Sequence, residues 1–231
     1  MKMIGLLGGM SWESSAEYYR VVNEAVKERL GGLHSARCLL LSVDFAEIEA
    51  LQHQGRWDEA GELLAAAARR LERGGADMIV LCTNTMHKVA DAIAGAVRVP
   101  LLHIADPTAA AIRARGLTTV GLLGTRFTME DDFYSARLVR QHGLRVLTPP
   151  APARELVHRV IYDELCLGVI RPESRAAYRA VMEQLAAAGA EGIILGCTEI
   201  TLLVDASDSP LPLFDTTRLH AVAAVEAALA G

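Results

Sequence analysis

Two short runs carry the side chains best suited to chemistry, Thr83-Asn84-Thr85 and Cys197-Thr198-Glu199. Each follows an apolar stretch, Met78–Cys82 before the first and Ile193–Gly196 before the second, and each opens a segment with helical spacing. A thiol at a helix start meets free N–H groups and the positive end of the dipole, which favour the thiolate. There Cys197 can act as a base or as a nucleophile. Helix starts rich in hydroxyls and amides serve N-capping and the holding of a carboxylate equally well. Capping accounts for Asn84 and Thr85 but not for a cysteine at the matching place. Cys38 and Cys82, inside apolar strands, read as small inert core residues. His87 and Lys88 follow the first run by one turn and read as helix-surface residues, while His103 is open to either reading. Gly8-Gly9-Met10-Ser11 follows the first apolar run of the chain, and Gly124-Thr125-Arg126 follows a similar one. Such a glycine turn is either a tight strand-to-helix connection or a close backbone approach to an anion. Its spacing is neither G-x-G-x-x-G nor a Walker loop, so nucleotide binding has little support.

The elements that must position these residues alternate in type. Met3–Leu7, Cys38–Val43 and Met78–Cys82 read as buried strands; Ser14–Leu30 and Trp57–Arg73 have helical spacing and end at Gly31-Gly32 and Gly74-Gly75. That alternation marks βαβ units and a parallel sheet. The pattern also repeats. Ile4-Gly-Leu-Leu-Gly8 returns as Val120-Gly-Leu-Leu-Gly124, 116 positions on. Gly75–Thr83 returns as Gly189–Cys197, 114 positions on, and Val99–Leu102 as Leu211–Phe214, 112 positions on. The expectation is an α/β fold of two pseudo-symmetric open parallel-sheet domains with helices on both faces. The first spans residues 1–99 plus 212–231, the second 100–211. Ligands of such sheets bind beyond the carboxyl ends of the strands, which puts a site in the cleft between domains, with Thr83 and Cys197 facing each other across it.

Composition narrows the classes. At 231 residues, 52% apolar and 22% charged, the chain buries a core and is not disordered. Mean hydropathy is +0.25, but no apolar run approaches the roughly 18 residues of a membrane span. The opening MKMIGLLGGMSWESS reads as a strand and a glycine turn rather than a signal peptide, so a soluble cytoplasmic protein is expected. A net charge of −5 with interspersed signs leaves no footprint for nucleic acid. Four cysteines without a CxxC pair and seven histidines without HxxxH spacing argue against a disulfide scaffold and a metal site. Only Lys2, Lys27 and Lys88 are present, few places for a pyridoxal Schiff base.

The chain resembles the aspartate/glutamate racemase superfamily, most closely its L-aspartate/glutamate-specific branch. The similarity runs through IGLLGGMSWES, LCTNTMHKVADAI, LLHIAD, LLGTRFTMEDDFY, ELCLG, GCTEITLLV and LPLFDTT, essentially the whole length. It implies a cofactor-independent isomerase with an interdomain site, which removes and returns the α-proton of an amino acid from opposite faces, and a homodimer. The family's first motif is usually Cys-Asn-Thr, whereas Thr83 precedes Asn84 here and Cys82 lies one position earlier. A one-residue shift turns a strand side chain to the other face, so Thr83, not Cys82, is the expected partner of Cys197. By family analogy Cys197 takes the proton of L-aspartate or L-glutamate, and Thr83, or water ordered by it, serves the opposite face. The D-enantiomer is then the poorer substrate for proton abstraction.

The strand-end residues, with the stretches matched by the resemblance, make up the expected substrate-binding set: Met10, Ser11, Gln52, Asn84, Thr85, Thr125, Cys166, Thr198 and Glu199. Asn84, Thr85 and Thr198 are donors to the α-carboxylate, and Glu199 is an acceptor for the ammonium group. Aspartate racemases hold the side-chain carboxylate with an arginine and a lysine. At the matching stretches this chain has Ser42–Glu47 and Cys166–Gly168, with neither cation. Gln52, helix-start N–H groups or Arg126 are the substitutes, and a substrate without a charged side chain stays open. Rival readings are maleate isomerase, hydantoin racemase or arylmalonate decarboxylase chemistry, or a two-domain amino-acid binding protein without turnover.

Overall fold

The structure, a computed structural model, describes residues 1–230. The chain divides into two compact units, Met1–Ile104 with the segment from His220 onward, and Ala105–Leu219.

The first unit holds a four-stranded parallel sheet of order β2-β1-β3-β4, built from β1 (Ile4–Gly8), β2 (Cys38–Ser42), β3 (Met78–Leu81) and β4 (Leu101–Leu102). Its helices are α1 (Trp12–Leu30), α2 (Phe45–His53), α3 (Trp57–Arg73) and α4 (Ala90–Gly95). Alternation along the central strands separates two cores. Ile4, Leu6, Met78 and Val80 pack with Tyr18, Val21, Val22, Ala25 and Val26 of α1, and with Ala221, Ala224, Val225 and Ala228 of the last helix. Leu7, Ile79 and Leu81 pack on the other face with Ile48 of α2, Leu64, Ala68 and Leu71 of α3, and Ile93 of α4. Each fully buried leucine there contributes about 1.5–3 kcal/mol. The first core also holds a polar pair. Leu102 O can only accept, so His220 Nε2–H donates to it at 2.9 Å, and Tyr18 Oη–H then donates to His220 Nδ1 at 2.8 Å. Two details differ from the sequence expectations. Helix α1 starts at Trp12 rather than Ser14, because Ser11 caps it by accepting from Ser14 N–H. Strand β2 is an edge strand, so Cys38 is half-buried rather than core.

The second unit repeats the order as β6-β5-β7-β8, from β5 (Thr119–Gly124), β6 (Arg145–Leu147), β7 (Gly192–Gly196) and β8 (Leu213–Asp215). Around it lie α5 (Ala105–Ala114), α6 (Arg126–Glu130), α7 (Asp132–His142), α8 (Ala151–Asp163), α9 (Pro172–Ala187) and α10 (Ile200–Leu203). The last helix is α11 (Thr216–Leu229). One core joins Leu123, Ile193 and Leu195 to Val157, Val160 and Ile161 of α8 and to Tyr178, Val181, Met182 and Leu185 of α9. Asp106 of α5 accepts both Arg137 Nε–H (2.6 Å) and Nη2–H (2.7 Å) from α7, a bidentate tie between neighbouring helices.

Strand register relates the units without reference to residue types. Ile4 pairs with Met78 where Val120 pairs with Gly192, and Ile79 pairs with Leu101 where Ile193 pairs with Leu213. These are the correspondences of the sequence repeat. Counting five residues on from Met78 and from Gly192 reaches Thr83 and Cys197.

Candidate functional site

In the first unit the carboxyl end of β3 presents Cys82 and then Thr83. Cys82 continues the face of Met78 and Val80, is fully buried among α1 and α11 residues, and directs its thiol at Val80 O, 3.5 Å away. Burial pushes that thiol far up. Thr83, 8% exposed, turns back toward the strand with its N–H on Leu81 O at 2.9 Å. Its carbonyl accepts from His87 Nδ1–H at 2.7 Å, and His87 Nε2 accepts from Ile104 N–H at 3.2 Å. One ring nitrogen must donate and the other must accept, so His87 is a neutral brace behind Thr83. It is buried, which corrects the expectation of a helix-surface residue. Lys88 lies 4.1 Å over the Trp57 ring.

Thr85–Val89 is a 3-10 turn, and Asn84 makes no capping bond to it. The capping account of the first run therefore falls away, and Asn84 and Thr85 are buried polar residues at the sheet's carboxyl edge. Gln52, buried on α2, donates its amide to Met86 Sδ at 3.0 Å, which places it against the same turn. Met10 shares the core of Met86 and Leu81. The Gly8-Gly9 turn resolves as a tight connection. Gly9 has φ +97° and donates its N–H to Ser15 Oγ at 2.7 Å, so that group is already bound within the chain. Ser11 Oγ caps α1 through Ser14 N–H at 3.4 Å.

In the second unit Cys197 directly follows β7 and is 8% exposed. Its Sγ lies 2.9 Å from Glu199 Oε2, and Thr198 Oγ1 donates to the same oxygen at 2.7 Å. Glu199 is 4% exposed. Burial, then the Glu199 charge, then Cys166 raise the Cys197 thiol well above its ordinary value of 9.0, while the Glu199 backbone N–H acts in the other direction. The expected thiolate is thus corrected: α10 has four residues, too short for much dipole, and the desolvated thiol sits beside a carboxylate. Cys166, in the 3-10 turn Leu165–Leu167, packs half-buried against the core that contains Cys197. Tyr178 of α9 packs there too and donates Oη–H to Val157 O at 3.0 Å. The sequence reading did not single out Tyr178, and no motif around it points to a place beside a thiol. Thr125 caps α6 by accepting from Thr128 N–H at 3.3 Å. Arg126 is exposed, with its guanidinium 5.7 Å from the Phe127 ring.

Each unit therefore gathers small polar groups at the carboxyl edge of its own sheet: Ser11, Thr83, Asn84 and Thr85 in one, Thr125, Cys197, Thr198 and Glu199 in the other. Among the described residues no three His, Cys, Asp or Glu side chains gather as metal ligands would, and no helix is long and apolar enough to cross a membrane.

A parallel α/β unit presented twice, with a buried thiol at one strand end, defines a class, and comparison with known proteins identifies it. The profile of the Asp/Glu/Hydantoin racemase family matches residues 7–224, and the chain belongs to that family; it is an isomerase of the racemase kind. A Yersinia pestis protein provisionally described as an Asp/Glu racemase has a crystal structure similar to this one, with TM-score 0.93 and 58% identity over 99% of this chain and 100% of that one. An aspartate racemase homologue from Pyrococcus horikoshii OT3 matches with TM-score 0.84 and 34% identity over 99% of both chains. The broad-specificity amino-acid racemase RacX of Bacillus subtilis is 24% identical over 99% of each chain.

Proposed function

We propose that the chain racemises L-aspartate and L-glutamate without a cofactor, with Cys197 removing the α-proton and Thr83, or water ordered by it, returning a proton to the opposite face. The observation that carries this reading is the register equivalence of Thr83 and Cys197. Equivalent strand ends of a duplicated unit are the natural pair of tools for the two faces of one carbon. The pair is chemically unequal. A thiol ionises within reach of neutral pH once activated, whereas an alcohol does not.

The α-proton of an amino acid is a very weak acid, so the developing carbanion needs fixed donors around its carboxylate. Asn84, Thr85 and Thr198 have the right chemistry, and all three are buried at strand ends. Gln52, beside Met86, is the candidate for the distal carboxylate; Met10, Ser11, Thr125 and Cys166 complete the lining. Racemisation by opposite-face groups requires that both strand ends reach one substrate, and a homodimer in the cytoplasm is the setting that accompanies this reading. Incubation with L-aspartate and with L-glutamate in D₂O, followed by proton NMR, tests it. Loss of the α-proton signal with formation of the D-isomer is expected. New products would point to isomerase or decarboxylase chemistry of the wider superfamily, and binding without exchange to an amino-acid binding protein.

A further inference from the structure

The turn that carries the chain off β3 deprives the Thr83 carbonyl of its usual partner. In an α-helix Thr83 O would accept the backbone N–H of His87, four residues on. The segment Thr85–Val89 is 3-10 instead, and that N–H goes to Asn84 O at 3.0 Å. Thr83 is 8% exposed, and a buried carbonyl left unpaired is costly. The His87 side chain takes the place of the missing N–H, donating Nδ1–H to Thr83 O at 2.7 Å. Across the ring, Nε2 accepts from Ile104 N–H at 3.2 Å, and Ile104 is where the first unit ends and the chain passes on to the second. The ring is therefore fixed at both nitrogens in one neutral tautomer. The His103 and His220 rings flank it, with centroids 4.5 and 5.9 Å away.

We infer that His87 is a positioning residue for the Thr83 face of the reaction, holding the Thr83 carbonyl and through it the direction of the Thr83 side chain. The inference rests on the racemase reading and extends it. Thr83 N–H is bound to Leu81 O at 2.9 Å and its carbonyl to His87, so both peptide groups beside its Cα are fixed. The Cα–Cβ bond then points one way. Without the His87 bond the carbonyl turns toward another donor and carries the side chain with it, and a displacement of about 1 Å at a reacting group costs about 10²-fold in rate. Cys197 belongs to the other unit and makes none of these bonds. Loss of His87 should thus slow one face only. An L-substrate still gives up its α-proton at the thiol and regains one there, but delivery from the opposite face fails.

Leucine and asparagine have nearly the same shape, so they remove the ring equally and differ in the amide, whose nitrogen lies where Nδ1 was. Initial rates with L-aspartate in D₂O give two numbers for each variant: deuterium entering retained L-aspartate, by proton NMR, and D-aspartate formed, by chiral chromatography. In His87→Leu inversion should fall about tenfold or more while exchange into L-aspartate changes by less than about twofold, so their ratio rises about tenfold. His87→Asn should return the ratio to within about threefold of wild type. A ratio in His87→Leu equal to that of wild type, with both rates lowered together, would mark His87 as structural and overturn the inference. So would equal ratios in the two variants. Should His87→Leu fail to fold, His87→Gln carries the same test, because its amide lies one bond further out and leaves Thr83 O bare; an unmoved ratio there overturns the inference as well. A wild-type protein that shows neither exchange nor inversion would overturn the racemase reading itself, and the inference with it.

Discussion

Cys82 and Cys197 are both buried and both raised in pKa, yet they sit in unlike company. Cys82 is enclosed by aliphatic groups of α1 and α11, where desolvation alone acts. Cys197 has a carboxylate and a second thiol beside it. Opposite behaviour is therefore expected of two cysteine variants. Cys197→Ser should lower kcat on the order of 10²–10⁴-fold with melting little changed. Cys82→Ala should leave kcat unaltered and destabilise by about 1 kcal/mol, read from urea denaturation. Placing a thiol at the other face tests the inequality of the pair. Thr83→Cys should increase α-proton exchange from D-aspartate relative to wild type. That Cys82 turns into the core was legible in the sequence, because it lies on the strand face of the apolar Met78 and Val80. The protonated state of Cys197 was not, since it depends on a carboxylate reached only when the chain turns after β7.

The short connections decide how firmly these residues are held. Gly9 sits at φ +97°, and a Cβ there would lie 2.2 Å from Val43 O, a backbone atom that cannot step aside. Gly9→Ala should destabilise by roughly 2–4 kcal/mol, measured as a lowered urea midpoint at constant m. The central strands and long helices could be read from apolar runs and glycine ends. Edge position could not: β2 has the same Cys-Leu-Leu-Leu composition as a buried strand, and only the order β2-β1-β3-β4 exposes it. Nor could the Thr85–Val89 turn be told from an α-helix, because five residues do not separate a period of 3.0 from one of 3.6.

At the scale of the molecule, duplication with divergence is the organising fact. The two sheets share order and register, while the repeated strand end carries an alcohol in one and a thiol in the other. Buried thiol and phenol groups in both units should lower stability at alkaline pH. Cys82, Cys197 and Tyr178 have folded values raised above 9.0, 9.0 and 10.0. Above those values the unfolded chain ionises while the folded one does not. Stability present below about pH 9 should thus fall as pH rises, by up to about 1.4 kcal/mol per pH unit for each group, in urea titrations between pH 8 and 11.

The proposed inequality of Thr83 and Cys197 is invisible to net turnover. Enantiomers have equal free energy, so the equilibrium constant is one and kcat/KM must be the same in the two directions. Exchange without inversion is free of that constraint. The decisive measurement is the ratio of α-deuterium incorporation to inversion in D₂O, taken from initial rates with L-aspartate and with D-aspartate. From the L-isomer, the thiol face should exchange and return its proton often enough that incorporation into retained L-aspartate outruns inversion. From the D-isomer, incorporation should not outrun inversion. Equal ratios from the two enantiomers would mean that the two faces are served by equivalent groups, and that Thr83 and Cys197 are not an unequal pair.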